Sequence, residues 1–304
     1  MPPLSTHSLT KNYGAQPAIS AISLDVNEGE LFGLIGPDGS GKTTLMRILA
    51  TLLLPDSGTA KILGMDVVND FKKVRREIGY MPGRFSLYQD LSIEENLTFF
   101  ATIFGTTVRE NQDIIHDIYI QIEPFKNRRA GKLSGGMKQK LALCCALIHK
   151  PRVLILDEPT TGVDPVSRRE FWDILGRLKK TGMTILVSTP YMDEASRCDR
   201  VALMQSGKIL TTDAPSLITK NFKHKIFAIR ADNMYRLLNE LRTWETRHAV
   251  HAFGEVAHYI DKNENTSDSD IKEKLRKAGF TNVEVIETKP TIEDCFMGLM
   301  KATN

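Results

Sequence analysis

The apolar run Leu31-Phe32-Gly33-Leu34-Ile35 has the length of a buried strand, and Thr44 to Ala50, a few residues on, reads as a helix. A second unbroken aliphatic run, Val153 to Leu156, ends in Asp157-Glu158, the form of a central parallel strand delivering carboxylates to its C-terminal end. Ile78 to Pro82 is strand-like. Strands and turns prevail up to about Ala60, and a helical middle opens near Ser92, where Glu95 three residues on predicts a capping box. The longest apolar run, Leu141 to Ile148, falls far short of the roughly 20 residues that cross a bilayer.

Beyond about Pro215 the pattern changes. Ile226 to Ile229 predicts a strand, and Met234, Leu237, Leu238, Leu241 and Trp244 mark one helical face. His248 to Phe253 and Val256 to Ile260 predict a hairpin across Gly254-Glu255, followed by a polar loop at 263–267. Ile271, Leu275 and Ala278 mark a second helix ending at Gly279, and Val283 to Ile286 a last strand. A closing helix carries Ile292, Cys295, Phe296, Leu299 and Met300. The order βαββαβ is the ferredoxin-like arrangement, small enough to stand as its own domain.

At 304 residues the chain can bury one substantial core and a second, smaller one. Its 40 basic and 37 acidic residues leave a net charge of +3, too weak a field to argue for nucleic acid or an anionic membrane surface. Cys144, Cys145, Cys198 and Cys295 form no Cys-x-x-Cys pair and read as reduced structural thiols. The first residues lack a basic segment followed by an apolar stretch, so no signal peptide is expected. His248, His251 and His258 are expected to be solvated or structural, on the argument that alternate strand faces separate them. No metal or catalytic constellation is expected in the C-terminal part.

Between the first strand and its helix lies Gly36-Pro37-Asp38-Gly39-Ser40-Gly41-Lys42-Thr43-Thr44, which fits the phosphate-binding pattern GxxxxGK[ST]. The glycines let backbone N–H groups curl around phosphate oxygens at a helix N-terminus, where the dipole favours anions. Lys42 is placed to reach the β- and γ-phosphates, and the Thr43 hydroxyl to ligate Mg²⁺. A plain glycine-rich turn would not require the flanking strand and helix. Asp157 is suited to the Mg²⁺ shell and Glu158 to accept a proton from, or orient, an attacking water. A turn and helix cap before Pro159 is the competing account of that pair. Ser134-Gly135-Gly136 opens an apolar helical run and presents bare N–H groups and a hydroxyl to an anion, which the residues alone leave unassigned.

In their order and spacing, the phosphate loop, Leu133-Ser134-Gly135-Gly136-Met137, the stretch from Leu154 to Asp164 and the upstream aromatic Tyr13 resemble the ATP-binding subunits of ABC transporters over roughly residues 4–216. The resemblance implies an α/β phosphate-loop ATPase domain at 1–216, with a helical subdomain at about 88–150. A small α+β accessory domain at 217–304 follows. It also implies two such domains pairing head to tail, so that Ser134, Gly135 and Gly136 serve ATP held by the other subunit. Tyr13 would then stack on adenine, although an ordinary strand tyrosine also accounts for it. Asp164 matches the aspartate at the dimer interface and can also cap the helix that begins at Pro165. The implied partners are ATP with Mg²⁺, an identical or different ATPase subunit, and an integral membrane permease; nucleic acid is not expected. The implied location is cytoplasmic, on the inner face of the cell membrane through the permease. Phe85, Leu87 and Tyr88, after a hinge near Gly83, are candidate permease contacts or a plain core cluster. Thr291 to Phe296 resembles a string in the C-terminal extension of ABC-2 type exporter ATPases of the multidrug and antibiotic-resistance group.

Two positions depart from that pattern. Where the family has a glutamine that senses Mg²⁺ and the attacking water, this chain has Gly83; where it has a switch histidine at the γ-phosphate, this chain has Pro190. Removing one preorganised donor typically costs about 10²- to 10³-fold in rate. The expectation is therefore an ATPase that binds MgATP, dimerises and drives a permease, most simply an exporter, but turns over slowly unless Thr189, Tyr191 or Arg84 substitutes. The alternative is a hydrolysis-poor regulatory subunit paired with a different ATPase chain.

Overall fold

In the computed structural model, which describes residues 1–84 and 86–302, contacts cluster into two units, Met1–Thr212 and the residues from Asp213 onward. The first begins with β1 (Leu4–Tyr13), β2 (Gln16–Val26), β3 (Leu31–Ile35) and α1 (Lys42–Leu49). It continues through β4 (Ser57–Ile62), β5 (Met65–Asp66), α2 (Phe71–Glu77) and β6 (Ile78–Met81) to α3 (Ile93–Ile103), α4 (Gln112–Tyr119) and α5 (Gly135–Leu147). It closes with β7 (Val153–Asp157), α6 (Pro165–Lys180), β8 (Thr184–Thr189), β9 (Arg200–Gln205) and β10 (Lys208–Asp213).

Two sheets share the core of this unit. One is antiparallel, in the order β2-β1-β4-β5; the other has six strands in the order β10-β9-β3-β8-β7-β6. Strands β3, β7 and β8 are buried at every position, as strands covered on both faces must be, which is why their sequences show no alternation. Leu45, Met46, Ile48 and Leu49 of α1 join Leu4, Leu9 and Val26 of the first sheet and Phe32, Ile155 and Leu186 of the second in one core. Each fully buried aliphatic side chain contributes about 1.5–3 kcal/mol, so the helix after the phosphate loop is fixed by its apolar face.

The helical middle begins with the expected capping box: Glu95 N–H donates to Ser92 Oγ at 3.2 Å, and Ser92 N–H to the Glu95 carboxylate at 2.7 Å. Asn96, fully buried one residue later, accepts from Tyr88 N–H and donates to the Tyr88 and Ser92 carbonyls, tying down the chain that enters α3. Leu87 is buried, whereas Tyr88 is half exposed and packs edge-on to Phe99 at 4.6 Å; Phe85 lies outside the described residues. Helix α2 was not legible in the sequence, because Val74 is its one buried residue among charged neighbours and it offers no apolar period.

The second unit contains α7 (Pro215–Lys220), β11 (Ile226–Ala231), α8 (Met234–Thr243), β12 (Arg247–Phe253), β13 (Val256–Asp261), α9 (Asp268–Lys277), β14 (Val283–Thr288) and α10 (Ile292–Ala302). Its sheet runs β12-β13-β11-β14, with each of the three neighbouring pairs antiparallel. Phe227, Ile229, Tyr259 and Val285 from the sheet pack with Leu237, Leu241, Ile271 and Leu275 from α8 and α9. Trp244 lies just past α8 rather than on it, with extended backbone, yet its ring stays buried against Tyr259 at 5.3 Å. The argument that alternate faces separate the histidines fails here: His251 is directly opposite His258 across the hairpin, and both are buried. Residues paired across strands share a face, and the alternation that separates neighbours on one strand does not separate them. No helix among the described residues is long and apolar enough to cross a membrane.

Candidate nucleotide-binding site

The parallel register gathers the sequence-predicted residues at one sheet edge. Ile35, last in β3, pairs with Thr189, last in β8; Asp157, last in β7, pairs with Ser188; and Met81, last in β6, pairs with Leu156. The segments leaving these strands, starting at Gly36, Pro82, Glu158 and Pro190, therefore emerge together at the carboxyl ends, where open α/β sheets bind ligands.

The loop from Gly36 to Gly41 is shaped by backbone crowding. A Cβ on Gly36 would lie 2.2 Å from the Met204 carbonyl oxygen, and Gly41 has φ +102° with an equally tight approach, 2.4 Å, to the Ala18 carbonyl oxygen. Only glycine meets both demands. Helix α1 starts at Gly41 without a side-chain cap and without an acid in its first turn, so its N-terminal N–H groups and positive dipole end remain available to an anion. Ser40 Oγ is buried with no hydrogen-bond partner, a polar atom that an anion's oxygen would satisfy. Asp38 and Gly39 at the tip are exposed, while Pro37, Thr43 and Thr44 line its sides at half-buried or buried positions.

Lys42 is 3% exposed, a buried cation. Its Nζ donates to the carbonyls of Gly36 and Pro37 at 2.8 and 3.0 Å and lies 3.2 Å from Glu158 Oε1. Thr43 Oγ1 donates to Asp157 Oδ1 at 3.2 Å, and Ser188 Oγ donates to the same oxygen at 2.7 Å. Ser188 also positions the neighbour: Glu158 N–H is directed to both the Ser188 carbonyl and its hydroxyl, at 3.1 and 2.9 Å. Glu158 has φ +48°, a left-handed conformation that costs a non-glycine residue about 1–3 kcal/mol, and this double contact helps to hold it. Ser188 carries no motif of its own, and its role comes from lying beside Asp157 in the sheet. Tyr80 adjoins the cluster, its hydroxyl pKa pushed up to about 12 by burial and then by the Asp157 charge, so it stays protonated. These groups fit a phosphorylated, metal-bound ligand: bare amides, a buried ammonium, and the oxygen donors of Thr43 and Asp157 that a hard cation prefers.

At the two departures the structure is specific. A Cβ on Gly83 would sit 3.1 Å from the Asp157 carbonyl oxygen and 3.8 Å from Asp157 Oδ2, so a side chain there would grow beside the carboxylate. Pro190 is half buried and follows Thr189, whose carbonyl accepts from Gly36 N–H at 3.3 Å. Thr189, a candidate substitute, has its hydroxyl already engaged: it donates to Glu194 and accepts from Tyr191 N–H. Glu194, 4% exposed and overlooked in the sequence, also accepts from Thr160 Oγ1 at 2.9 Å and has Arg168 Nε at 3.8 Å. Tyr191 lies under the Arg168 guanidinium at 4.6 Å, and Arg84 is exposed.

Ser134, Gly135 and Gly136 stand elsewhere on the same unit. Ser134 caps α5, accepting from Met137 N–H at 3.4 Å. The nearest neighbours of a Cβ on Gly135 or Gly136 are Gly162 and Ser167, not the phosphate loop, and at 136 it would lie 2.5 Å from Ser167 Oγ and 2.8 Å from Ser167 Cβ, so any side chain there would force Ser167 to shift. Asp164 caps α6, accepting from the N–H groups of Val166 and Ser167 at 3.1 and 3.0 Å, and the Ser167 contacts hold its carboxyl below the usual range. Tyr13, at the end of β1, is 51% exposed and free to offer a ring face.

Fold and site together define a phosphate-loop cassette, and the comparisons place it in a family. The ABC transporter family matches residues 19–161. The probable multidrug ABC transporter ATP-binding protein YbhF of Escherichia coli is 39% identical over 291 residues, 94% of this chain but 49% of that protein; the chain thus spans about half of that relative's length. The Nod factor export ATP-binding protein I of Rhizobium sp. strain N33 is 34% identical over 95% of this chain and 94% of its own length. Among solved structures, an ATP-binding subunit of an ABC transporter matches 72% of the chain and 92% of its own, with 28% identity and a TM-score of 0.66. A dimeric post-hydrolysis state of the cassette MJ0796, bound to ADP and phosphate, matches 69% of the chain and 98% of its own, with 25% identity and a TM-score of 0.63. The chain belongs to the ATP-binding proteins of the ABC transporter family, with an additional C-terminal α+β region.

Proposed function

We propose that the chain binds MgATP, pairs with a second ATPase subunit and hydrolyses ATP to ADP and phosphate to drive a separate membrane permease that exports its substrate. The observation that carries this reading is the convergence of Lys42, Glu158, Asp157 and Thr43 at one sheet edge, with contacts of 3.2 Å both between Lys42 and Glu158 and between Thr43 and Asp157. Residues 36–44 cradle the phosphates, with Lys42 moving from the carbonyls of Gly36 and Pro37 to phosphate oxygens. Thr43 and Asp157 hold Mg²⁺, which supplies neutralisation of charge on the phosphate oxygens. Glu158 orients and deprotonates the attacking water. Tyr13 stacks on adenine. Ser134, Gly135 and Gly136 close over the partner subunit's ATP, and Asp164 lies at that interface.

A 960 Å³ groove lined by Leu52, Tyr80, Leu87, Phe100, Phe104 and His149 is the surface we assign to the permease. It would keep the protein on the inner face of the membrane. The first unit, Met1–Thr212, is the ATP-binding domain, which ends four residues before the sequence-based boundary at 216 and leaves α7 whole. The second unit is a ferredoxin-like accessory domain, a reading supported by the antiparallel order β12-β13-β11-β14, in which one strand fits between the ends of each βαβ. The export names of the relatives support the direction of transport. Glu158→Gln tests the chemistry: MgATP affinity is expected to persist while turnover falls by about 10²- to 10⁴-fold, the usual contribution of a positioned general base. Unchanged turnover would overturn the assignment.

A second reading, a regulatory subunit of slow hydrolysis paired with a different ATPase chain, is favoured by Gly83 beside Asp157 and by the prior engagement of Thr189 with Glu194.

A further inference from the structure

We infer that the second unit holds a site for a divalent transition-metal ion of the zinc class, formed by His251 and His258 of the hairpin and Asp294 of the closing helix. The turn at Gly254-Glu255 pairs Phe253 with Val256, and two pairs further on it sets His251 opposite His258. Both imidazoles therefore leave the sheet on one face. Asp294 Oδ1 lies 2.7 Å from His258 Nδ1 and 3.1 Å from His251 Nε2, and one ligand atom from each residue falls within 4.8 Å of the others. All three residues are buried, Asp294 completely.

The state of His251 points to a missing ligand. It is 9% exposed, yet neither ring nitrogen has a hydrogen-bond partner, since Nε2 stands close to Asp294 without the alignment of a hydrogen bond. A buried polar atom of this kind is costly unless something satisfies it, and a cation in front of Nε2 would do so for that nitrogen. The neighbours are already arranged as supports. Asp294 Oδ2 accepts from Thr291 N–H at 2.8 Å and from Thr291 Oγ1 at 2.6 Å, which leaves Oδ1 turned to the imidazoles. Phe253 stacks on His258 at 4.3 Å and fixes its ring plane. Such outer contacts orient ligands in metal sites.

In a tetrahedral zinc site, bonds of about 2.0–2.1 Å put neighbouring ligand atoms about 3.3 Å apart. The 2.7 Å contact to Asp294 would open by about 0.6 Å and the 3.1 Å contact by about 0.2 Å, while the two imidazole nitrogens, within 4.8 Å of each other, would settle at the same spacing. Two imidazoles and one carboxylate suit zinc and other first-row metals, whereas Mg²⁺ and Ca²⁺ prefer all-oxygen shells. Three protein ligands leave a fourth position for water. The ion would tie the β12–β13 hairpin to α10, coupling its affinity to the seating of that helix.

The test uses the full chain without a polyhistidine tag, stripped with chelator and titrated with Co²⁺ and then Zn²⁺ in excess Mg²⁺. The excess Mg²⁺ occupies any site at Thr43 and Asp157. One Co²⁺ per chain, with the visible bands of a four-coordinate site that Zn²⁺ abolishes, is the expected result. His251→Gln and His258→Gln should each weaken Zn²⁺ binding by more than the roughly 10- to 100-fold that an outer-shell change costs. An intact chain that takes up no Co²⁺ or Zn²⁺ would overturn the site, as would unchanged affinity in both variants when they melt normally. If a variant fails to fold, the intact chain decides alone: four-coordinate Co²⁺ bands that persist in excess Mg²⁺ support the site, and their absence overturns it.

Discussion

In the first unit the groups around Lys42 arrive from the ends of parallel strands, whereas in the second His251, His258 and Asp294 arrive from a hairpin and a helix. A parallel sheet sends every strand's carboxyl end to one edge, so a short motif at such an end is sorted to the site before any long-range contact is known. An antiparallel sheet offers no such edge; which residues meet depends on register, and register depends on the turn. Where motifs are contiguous, as in 36–44 and 157–164, chemistry can be read locally. Where ligands are single residues far apart in sequence, it cannot.

Lys42→Ala is expected to damage the first unit's site most severely. It removes a buried ammonium from the phosphate cradle, and charge-assisted hydrogen bonds are worth about 1.5–3 kcal/mol each. Affinity for MgATP, followed by a fluorescent nucleotide, is expected to fall by at least about 100-fold; unchanged affinity would reject the phosphate-loop assignment.

The same contrast explains how much was legible beforehand. The phosphate loop, Asp157 and Glu158, the helix opening at Ser134 and the hairpin at 254–255 could all be read, because each depends on neighbours within a few residues. Ser188 was missed because its hydroxyl matters only through its place beside Asp157 in the sheet. Glu194 was missed because Thr160 and Thr189, its hydroxyl partners, come from two other segments. His251 and His258 were separated by applying alternation within one strand to residues on two.

Pro190→His restores a side chain at one of the two departing positions of the first unit. If the missing side chain limits the chemistry, steady-state turnover should rise about tenfold, and Gly83→Gln should add to it. The second change needs the Asp157 carbonyl region to yield by a few tenths of an ångström, since a Cβ there lies at 3.1 Å. Folded single variants that bind ATP normally yet turn over no faster than the parent would show that another group already fills the role.

Ending the chain after Ala214 is expected to have the smallest effect on the first unit, because it keeps β10 whole and removes none of the residues in the core around α1. The shortened chain should bind MgATP as before and melt within about 2–4 °C of the parent's ATP-binding unit, the shift that 1 kcal/mol gives a domain of this size. Loss of folding would show that the two units depend on each other.

We propose that two such cassettes close on MgATP, with Ser134 to Gly136 of each serving the other's nucleotide; when both are this chain, the closure is a change of mass. Light scattering on Glu158→Gln tests it most directly, because that change should preserve binding while preventing hydrolysis from reopening the pair. Twice the monomer mass is expected in MgATP, and the monomer mass without nucleotide. A mass that ignores nucleotide, at concentrations where MgATP binding is saturated, would contradict it.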